Sequence, residues 1–240
     1  MNRNYFKRFV LMIFASVMAV ATASAQKGVD WNDLLTVVDE NHRIVYYDRQ
    51  TNNPLKGKFR IKRGLDVEVV KLKNGVIDGE YHRYRNGELR ETGHYDKGLR
   101  KGVFTEYYSD GKSVKRTAPM NNGKIDGIVK TFYNDGSLES EKEYSMSVEN
   151  GIERKFAKST GEQTFEAHYV DGKKEGEEWE KGDNGNGTYS HIVRNYSGGK
   201  LDGKFRTKLI RDGEVIYLIE GEYSQGEKTG QWKETNFETY

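Results

Sequence analysis

Residues 79–87 read Gly-Glu-Tyr-His-Arg-Tyr-Arg-Asn-Gly, and this stretch decides the fold because its plan recurs along the chain. A Gly is followed two and five residues later by aromatic side chains, and then by a two-residue turn signal. Asn-Gly and Asp-Gly pairs favour tight hairpin turns, because both turn residues then tolerate positive φ. The stretch therefore predicts a β-strand that leads into a hairpin.

The equivalent glycines recur at intervals of 22 to 27 residues: Gly57, Gly79, Gly102, Gly127, Gly151, Gly176, Gly203 and Gly230. A period in this range indicates stacked structural repeats. Each unit is predicted to contain a strand, a tight turn, a second strand and a Gly-rich connection. Because one hairpin buries little surface alone, neighbouring hairpins must stabilise it. We therefore predict an all-β fold, an elongated single-layer antiparallel sheet of stacked β-hairpins.

Strand alternation leaves the two faces of this sheet ambiguous. In the hairpin with its turn at Asn86-Gly87, a period of two places Tyr84, Leu89 and Tyr95 on one face and Tyr81 on the other. Either both faces carry aromatic residues, or β-bulges shift the register.

The recurrent aromatic residues either pack between hairpins or form a binding surface. Exposed Tyr and Trp rings suit binding because they lose little rotamer freedom on contact. We expect some rings, such as Tyr81 and Phe132, to be exposed. The candidate binding residues are Tyr81, Tyr84, Phe104, Tyr107, Phe132, Phe156, Trp179 and Trp232.

The first 25 residues have the layout of a secretory signal peptide. A basic start precedes a short apolar run and Ala23-Ser24-Ala25. The run is shorter than the ~20 residues that span a bilayer, so we predict no integral membrane segment in the mature chain. The predicted location is periplasmic or extracellular. Residues 26–56 are predicted to form an N-terminal cap or a divergent opening repeat, and residues 57–240 the repeat array.

Charge and cysteine content restrict the possible functions. Without residues 1–25 the chain has 36 Lys and Arg residues against 37 Asp and Glu residues. No net positive charge then attracts phosphate backbones, so nucleic acid is not a predicted partner. Because the sequence has no Cys, disulfides, thiolate metal sites and Cys nucleophiles are excluded.

Titratable residues show no catalytic spacing. The five histidines lack the close spacing of metal ligands, and His82 is expected opposite Glu91 across a hairpin. Carboxylates at 139–143 and 175–178 alternate with polar residues, which predicts a solvated charged face. Residues 183–187 predict an extended hairpin tip, because the acceptor pattern of a calcium loop is interrupted. The sequence therefore predicts no enzyme, cofactor or metal.

Residues 79–87 and 102–111 resemble MORN repeats. The bacterial MORN variant is the more similar form, because Tyr95-Asp96-Lys97-Gly98 and Tyr223-Ser224-Gln225-Gly226 resemble its Tyr-x-x-Gly connection. The resemblance covers roughly residues 45–235, and the Gly151 and Gly176 units depart from it because their first aromatic residue is replaced. It implies a scaffold, a dimerisation module or a binding surface, and many bacterial variants are labelled antitoxin-like.

We therefore predict an exported, non-enzymatic repeat scaffold that binds another macromolecule, most simply a protein, through its sheet surface. One alternative is a glycan- or cell-wall-binding module, in which exposed rings stack on sugars. Another is an antitoxin-like inhibitor with a single protein partner. Retention on polysaccharide would favour the first alternative, and co-purification of one tight partner the second.

Overall fold

A computed structural model describes residues 26–185 and 187–237 of the chain. The predicted signal peptide at 1–25 lies outside the described residues. The described part is nearly all β, with 21 strands and one short 3₁₀ helix at Trp31–Asp33. Nineteen strands belong to one open, mainly antiparallel sheet, which confirms the predicted all-β hairpin fold.

The strands are short and follow one another closely along the chain. The first eleven are β1 Lys27–Asp30, β2 Leu34–Val38, β3 Ile44–Asp48, β4 Gly57–Arg63, β5 Asp66–Lys73, β6 Val76–Arg85, β7 Glu88–Asp96, β8 Leu99–Tyr107, β9 Val114–Asn121, β10 Lys124–Ile125 and β11 Gly127–Phe132. The remaining ten are β12 Leu138–Ser145, β13 Val148–Phe156, β14 Gln163–Val170, β15 Lys173–Lys174, β16 Gly176–Gly185, β17 Thr188–Ser197, β18 Lys200–Leu201, β19 Gly203–Arg211, β20 Glu214–Ser224 and β21 Glu227–Asn236.

Neighbours in the chain are neighbours in the sheet from β4 to β21, and every pair in this run is antiparallel. The two-residue strands β10, β15 and β18 are the first parts of strands that continue, after one interrupting residue, as β11, β16 and β19. β1 is the exception, because it pairs in parallel with β4 at the N-terminal end.

The turns that connect successive hairpins lie along one long edge of the sheet and contact one another. At Lys97-Gly98 both residues have positive φ, 49° and 88°, as a type I′ turn requires. The amide of Gly98 donates to the carbonyl of Ile77 at 2.8 Å, and the amide of Gly123 donates to that of Arg100 at 2.9 Å. Hydrogen bonds of this type join a turn to the preceding repeat, and they give the recurrent Tyr-x-x-Gly connection a structural role.

The hairpin tips along the opposite edge use two kinds of turn. Asn86 and Gly87 both have positive φ, as predicted. At Asp110-Gly111 only the Gly does, so the prediction of two positive-φ residues is wrong for this turn. The Asp110 carboxylate accepts hydrogen bonds from the Ser113 hydroxyl and from two backbone amides, which stabilises the alternative turn. These bonds lower the pKa of Asp110 to about 2.

A β-bulge resolves the ambiguity of the two faces. The register shifts between Arg83 and Tyr84, so that Tyr84 pairs with Leu89 while Tyr81 pairs with Gly93. Cross-strand partners share a face, and Tyr95 therefore joins Tyr81, with ring centroids 5.3 Å apart. Bulges are present and both faces carry aromatic residues. We call the face with Tyr81 the cap face and the face with Tyr84 the open face.

The β2–β3 hairpin forms a second layer over the cap face at the N-terminal end. Leu34 and Tyr46 are buried there against Phe59, Ile61 and Tyr81. The Tyr46 amide also donates to the carbonyl of Gly75 at 2.7 Å. Of the strands that the structure describes, only β2 and β3 lie outside the large sheet.

Seven of the eight periodic glycines, all except Gly230, each lie opposite a large side chain of the next strand. The pairs are Gly57–Leu72, Gly79–Tyr95, Gly102–Met120, Gly127–Tyr144, Gly151–Tyr169, Gly176–Tyr196 and Gly203–Tyr223. A large side chain can cover the backbone of an opposing glycine, which otherwise weakens a strand. This pairing explains why each periodic Gly recurs together with the large residue that lies opposite it.

Candidate functional site

The structure divides the predicted binding residues between the two faces. Tyr81 and Phe104 are buried in the core of the cap face, with 4% and 3% of their surfaces exposed. The prediction that Tyr81 is an exposed contact residue is therefore wrong. Trp232 lies on the cap face near the C-terminal end and is partly exposed.

Glycine explains the burial of these rings. A Cβ atom at Gly93 would lie 2.4 Å from the Phe104 ring, so the missing side chain leaves the space that this ring occupies. Tyr81, Tyr95 and Phe104 then form a three-ring cluster. The same arrangement recurs at the C-terminal end, where Phe205, Tyr223 and Trp232 cluster over Gly221.

Four of the remaining predicted residues form a row on the open face, near the hairpin tips. This row, the tip-side stripe, consists of Tyr84, Tyr107, Phe132 and Phe156, each five residues after a periodic Gly. All four rings are partly exposed. The cross-strand partners of the first three are apolar: Val67 and Leu89 for Tyr84, Val114 for Tyr107, and Leu138 for Phe132.

Hydrogen bonds between repeats hold the backbone of the tip-side stripe. The hydroxyl of Tyr108 donates to the carbonyl of Phe132 at 2.6 Å, and that of Tyr133 donates to the carbonyl of Phe156 at 2.8 Å. Each donor immediately precedes its own hairpin turn, one repeat before its acceptor. A surface whose backbone is fixed before contact loses less conformational entropy on binding.

Trp179 shares the open face but lies apart from the stripe. It pairs with Val193, and its ring centroid is 6.1 Å from that of His191. Burial and the charge of Lys208 lower the pKa of His191. This histidine is therefore neutral near pH 7.

The central hairpins replace the aromatic clusters of the cap face with charged residues. Glu178 occupies the position that Tyr81 and Phe104 hold in earlier units, and Arg194 the position of Gly93. Glu178 is only 3% exposed, and its carboxylate contacts Lys174 and, at 2.8 Å, Arg194. The prediction of a solvated carboxylate is wrong here, because two cations compensate the burial of this charge.

A second buried carboxylate, Glu91, lies nearer the cap. It is 5% exposed and contacts Arg83 at 3.3 Å and Arg100 at 3.0 Å. The predicted pairing of Glu91 with His82 is wrong, because the actual register places His82 opposite Thr92. Sequence reasoning missed the ion pairs of Glu91 because they depend on the one-residue shift in strand register at the β-bulge.

The charged residues of the central cap face line a groove of about 690 Å³. On one side Lys142 contacts Glu153 at 3.1 Å, and the Tyr169 hydroxyl donates to the same carboxylate at 3.0 Å. Burial and the charge of Glu153 raise the pKa of Tyr169 to about 12. Burial opposes the charge of Lys142, but hydrogen bonds to Glu149 and Glu153 outweigh it and raise its pKa. The groove therefore presents fixed ion pairs.

A larger groove, of about 820 Å³, lies at the C-terminal hairpins. Its lining combines apolar surface with polar side chains, among them Asn195, Lys204, Arg206, Glu220 and Glu222. Arg206 and Glu220, which form an ion pair at 2.9 Å, are both part of this lining. It contains none of the tip-side stripe.

Within residues 26–185 and 187–237, no group of three or more His, Cys, Asp or Glu residues is arranged to hold a metal ion. No helix in the same part of the chain is long and apolar enough to cross a membrane.

Comparison with known families adds one match. The model of the family described as MORN repeat variant matches residues 125–146. This segment begins at Ile125 in β10, includes β11 and β12, and ends in the turn after β12. It therefore contains one complete hairpin of the array, with Gly127 opposite Tyr144. Hairpins before and after it share this pairing, so the segment that matches the MORN repeat variant is one unit of a longer array of similar hairpins.

Proposed function

We propose that this protein is a non-enzymatic scaffold that binds a protein partner through the tip-side stripe. The observation that carries the proposal is the repetition of partly exposed rings at one position of four consecutive hairpins, on the face without the β2–β3 layer. The MORN repeat is a scaffold module, and this supports a binding role.

The shape of the stripe suits a protein surface. Hairpins that follow one another in a sheet are ~10 Å apart, so four rings extend over ~30 Å. Their apolar cross-strand partners add surface between the rings. Aromatic anchors on a preorganised backbone are the residues that dominate many protein interfaces.

The stripe contrasts with the charged cap-face groove. The carboxylates there already contact cations of the same chain, as Glu178 contacts Arg194. A ligand would have to break these pairs, whereas the stripe would need only to lose water. We therefore assign the partner to the open face.

A comparative pull-down tests this assignment. Three chains are each used to capture proteins from the envelope fraction of the producing cells: the unaltered chain, the double variant Phe132→Ala/Phe156→Ala and the control Tyr144→Ala. The control removes a partly exposed ring from the other face. The proposal expects a protein that the unaltered chain and the control retain and the double variant loses. Equal retention by all three chains would contradict it.

Insoluble polysaccharide, tested with the same three chains, examines the glycan alternative. Retention on polysaccharide that depends on Phe132 and Phe156 would replace the protein partner with a glycan. Co-purification of a single tight protein partner, in an amount equal to that of the chain, would instead indicate an inhibitor of the antitoxin-like type.

We propose further that the protein is exported and that its mature form begins near Gln26. The basis is the basic start, the apolar run and the Ala23-Ser24-Ala25 sequence. Mass spectrometry of the protein from the envelope and the medium should find Gln26 at the N-terminus. Recovery of exported protein with Met1 intact would contradict the proposal.

A further inference from the structure

The free edge of β2, Leu34–Val38, carries the inference. Among the strands that the structure describes, β2 pairs with β3 alone. The far side of β3 is already covered. There the Tyr46 amide donates to the carbonyl of Gly75 at 2.7 Å, and the Tyr46 carbonyl accepts from the amide of Leu55 at 3.0 Å. β2 is therefore the open edge of this two-stranded layer.

The backbone groups of Thr36 and Val38 face this open edge. In an antiparallel pair, residues that bond across the pair alternate with residues whose backbone groups point outwards. Thr36 lies opposite Tyr46, whose amide and carbonyl both point away from β2, so Thr36 is of the second kind. Val38, two positions later, is of the same kind. The carbonyl of Leu34 also points outwards, but it already accepts a hydrogen bond from the Arg49 side chain at 2.8 Å.

β2 lacks the features that protect a free strand edge. Charged residues, Pro, bulges and short length are the usual protection against the addition of a strand. β1, at the N-terminal end of the large sheet, has four residues and includes Lys27 and Asp30. β21, at the other end, has four charged residues. β2 instead reads Leu-Leu-Thr-Val-Val, a run of high β-propensity without charge, Pro or Gly.

Both faces of β2 present apolar side chains to solvent. Leu35 and Val37 lie on one face, and Val38 lies on the other. All three are exposed, Val38 to 64%, and so is its cross-strand neighbour Ile44. A strand beside β2 would cover side chains on both faces. Its own residues must therefore be apolar or β-branched on both faces.

The ends of β2 define the charge of the matching strand. Asp33 immediately precedes β2 and Glu40 follows two residues after it, and both are exposed. The nearby guanidinium groups are engaged within the chain, because Arg43 contacts Asp39 at 2.6 Å and Arg49 donates to the backbone of β2. Basic residues at both ends of an added strand would therefore lie beside free carboxylates.

We propose that β2 binds an extended segment of a partner protein as an added strand. The segment has an apolar or β-branched centre as long as β2 and basic residues at both ends. Its backbone bonds to Thr36 and Val38, and its basic ends contact Asp33 and Glu40. The site lies outside the large sheet and its tip-side stripe, so the proposal is independent of the partner that the stripe binds.

Two peptides test the charge of the contact. The first, Lys-Lys-Val-Val-Thr-Val-Val-Lys-Lys, reads the same in both directions and therefore presupposes neither strand direction. The second has Glu in place of every Lys. Fluorescence anisotropy of the labelled peptides with the full chain measures the two affinities. The unaltered chain should bind the basic peptide roughly tenfold more tightly than the acidic one, because opposite charges meet at both ends.

Charge reversal in the chain is the matched experiment. The double variant Asp33→Lys/Glu40→Lys should prefer the acidic peptide by a similar factor. A misfolded variant could not gain affinity for the second peptide. Equal affinity of the unaltered chain for both peptides, or a preference that the double variant does not reverse, would overturn the proposal.

Thr36→Pro tests the backbone contact. Pro is tolerated on an edge strand where the missing amide faces solvent, so the pairing of β2 with β3 should remain. This variant should lose most of its affinity for the basic peptide. The control Thr36→Val keeps the amide and should bind like the unaltered chain. Normal binding by Thr36→Pro would overturn the proposal, as would self-association through β2, or attachment to phosphatidylcholine vesicles, by a chain that binds neither peptide.

Discussion

At the scale of single residues, glycine serves two separate physical purposes in this chain. Gly87 has a φ of +83°, and its missing side chain would meet no neighbour within 4 Å, so its role is conformational. Gly93 has no left-handed φ, but a Cβ atom there would overlap the Phe104 ring, so its role is to leave space. The sequence pattern alone does not distinguish the two roles.

Replacement of Gly87 by Val isolates the conformational role. A β-branched residue at positive φ is strained, and we expect a loss of about 1–2 kcal/mol in the free energy of unfolding. Gly28→Val is the control, because Gly28 lies in open space without a left-handed φ. Denaturant unfolding of both variants measures the difference. Equal stability of the two variants would show that the type I′ turn is wrongly assigned.

Tyr169 gives a prediction of pH dependence. Its pKa of about 12 exceeds the ordinary value of 10, because burial and the charge of Glu153 disfavour the tyrosinate. Between these values the unfolded chain releases the proton first, so the contribution of Tyr169 to stability falls as the pH rises from 10 towards 12.

Alkaline titration of the tyrosinate absorbance measures this directly. The folded chain should show late-titrating tyrosines, and Tyr169→Phe should remove one of them. In denaturant the titration curves of the two chains should differ by one tyrosine that titrates near the ordinary pKa of 10. An unchanged late fraction in the variant would contradict the assignment.

At the scale of the hairpin, hydroxyl groups connect neighbouring repeats. Tyr108 and Tyr133 donate to carbonyls of the following repeat, and Lys158 lies over the Tyr133 ring, 5.7 Å from its centroid. The phenylalanine variant keeps the ring and loses only the donor. The hydrogen bond can therefore be tested without a cavity.

Tyr108→Phe and Tyr133→Phe should each lower the free energy of unfolding by about 1 kcal/mol, the usual net value of one hydrogen bond. The double variant should show nearly the sum, because the two bonds have different partners. Tyr107→Phe is the control, since its hydroxyl makes only a 3.4 Å contact with Thr92. A control that costs as much as either variant would show that these bonds do not stabilise the array.

The hairpins and their turns could be predicted because Gly spacing and Asn-Gly signals are local properties of the sequence. The assignment of residues to faces could not. The bulge at Arg83 and Tyr84 shifts every later residue of that hairpin by one position, so Tyr95 joins Tyr81. The burial of Glu178 was equally hidden, because Arg194 compensates it from the following strand. Four of the candidate binding residues lie in one row in the structure. Each of these four is the fifth residue after a periodic Gly.

At the scale of the whole molecule, the two faces of the sheet have different roles. The cap face carries the β2–β3 layer, two aromatic clusters and the buried ion pairs. The open face carries the tip-side stripe, whose rings remain partly exposed. This division suggests that the cap face stabilises the array while the open face binds.

The affinity of the isolated partner for three chains tests this division most directly. Calorimetric titration would compare the unaltered chain, Phe132→Ala and Tyr144→Ala, after circular dichroism has shown that each variant keeps its β-structure. Truncation of Phe132 should weaken binding by about 1–2 kcal/mol, roughly tenfold, as interface rings do, and Tyr144→Ala should bind like the unaltered chain. Normal binding by Phe132→Ala together with a loss in Tyr144→Ala would contradict the assignment of the partner to the open face.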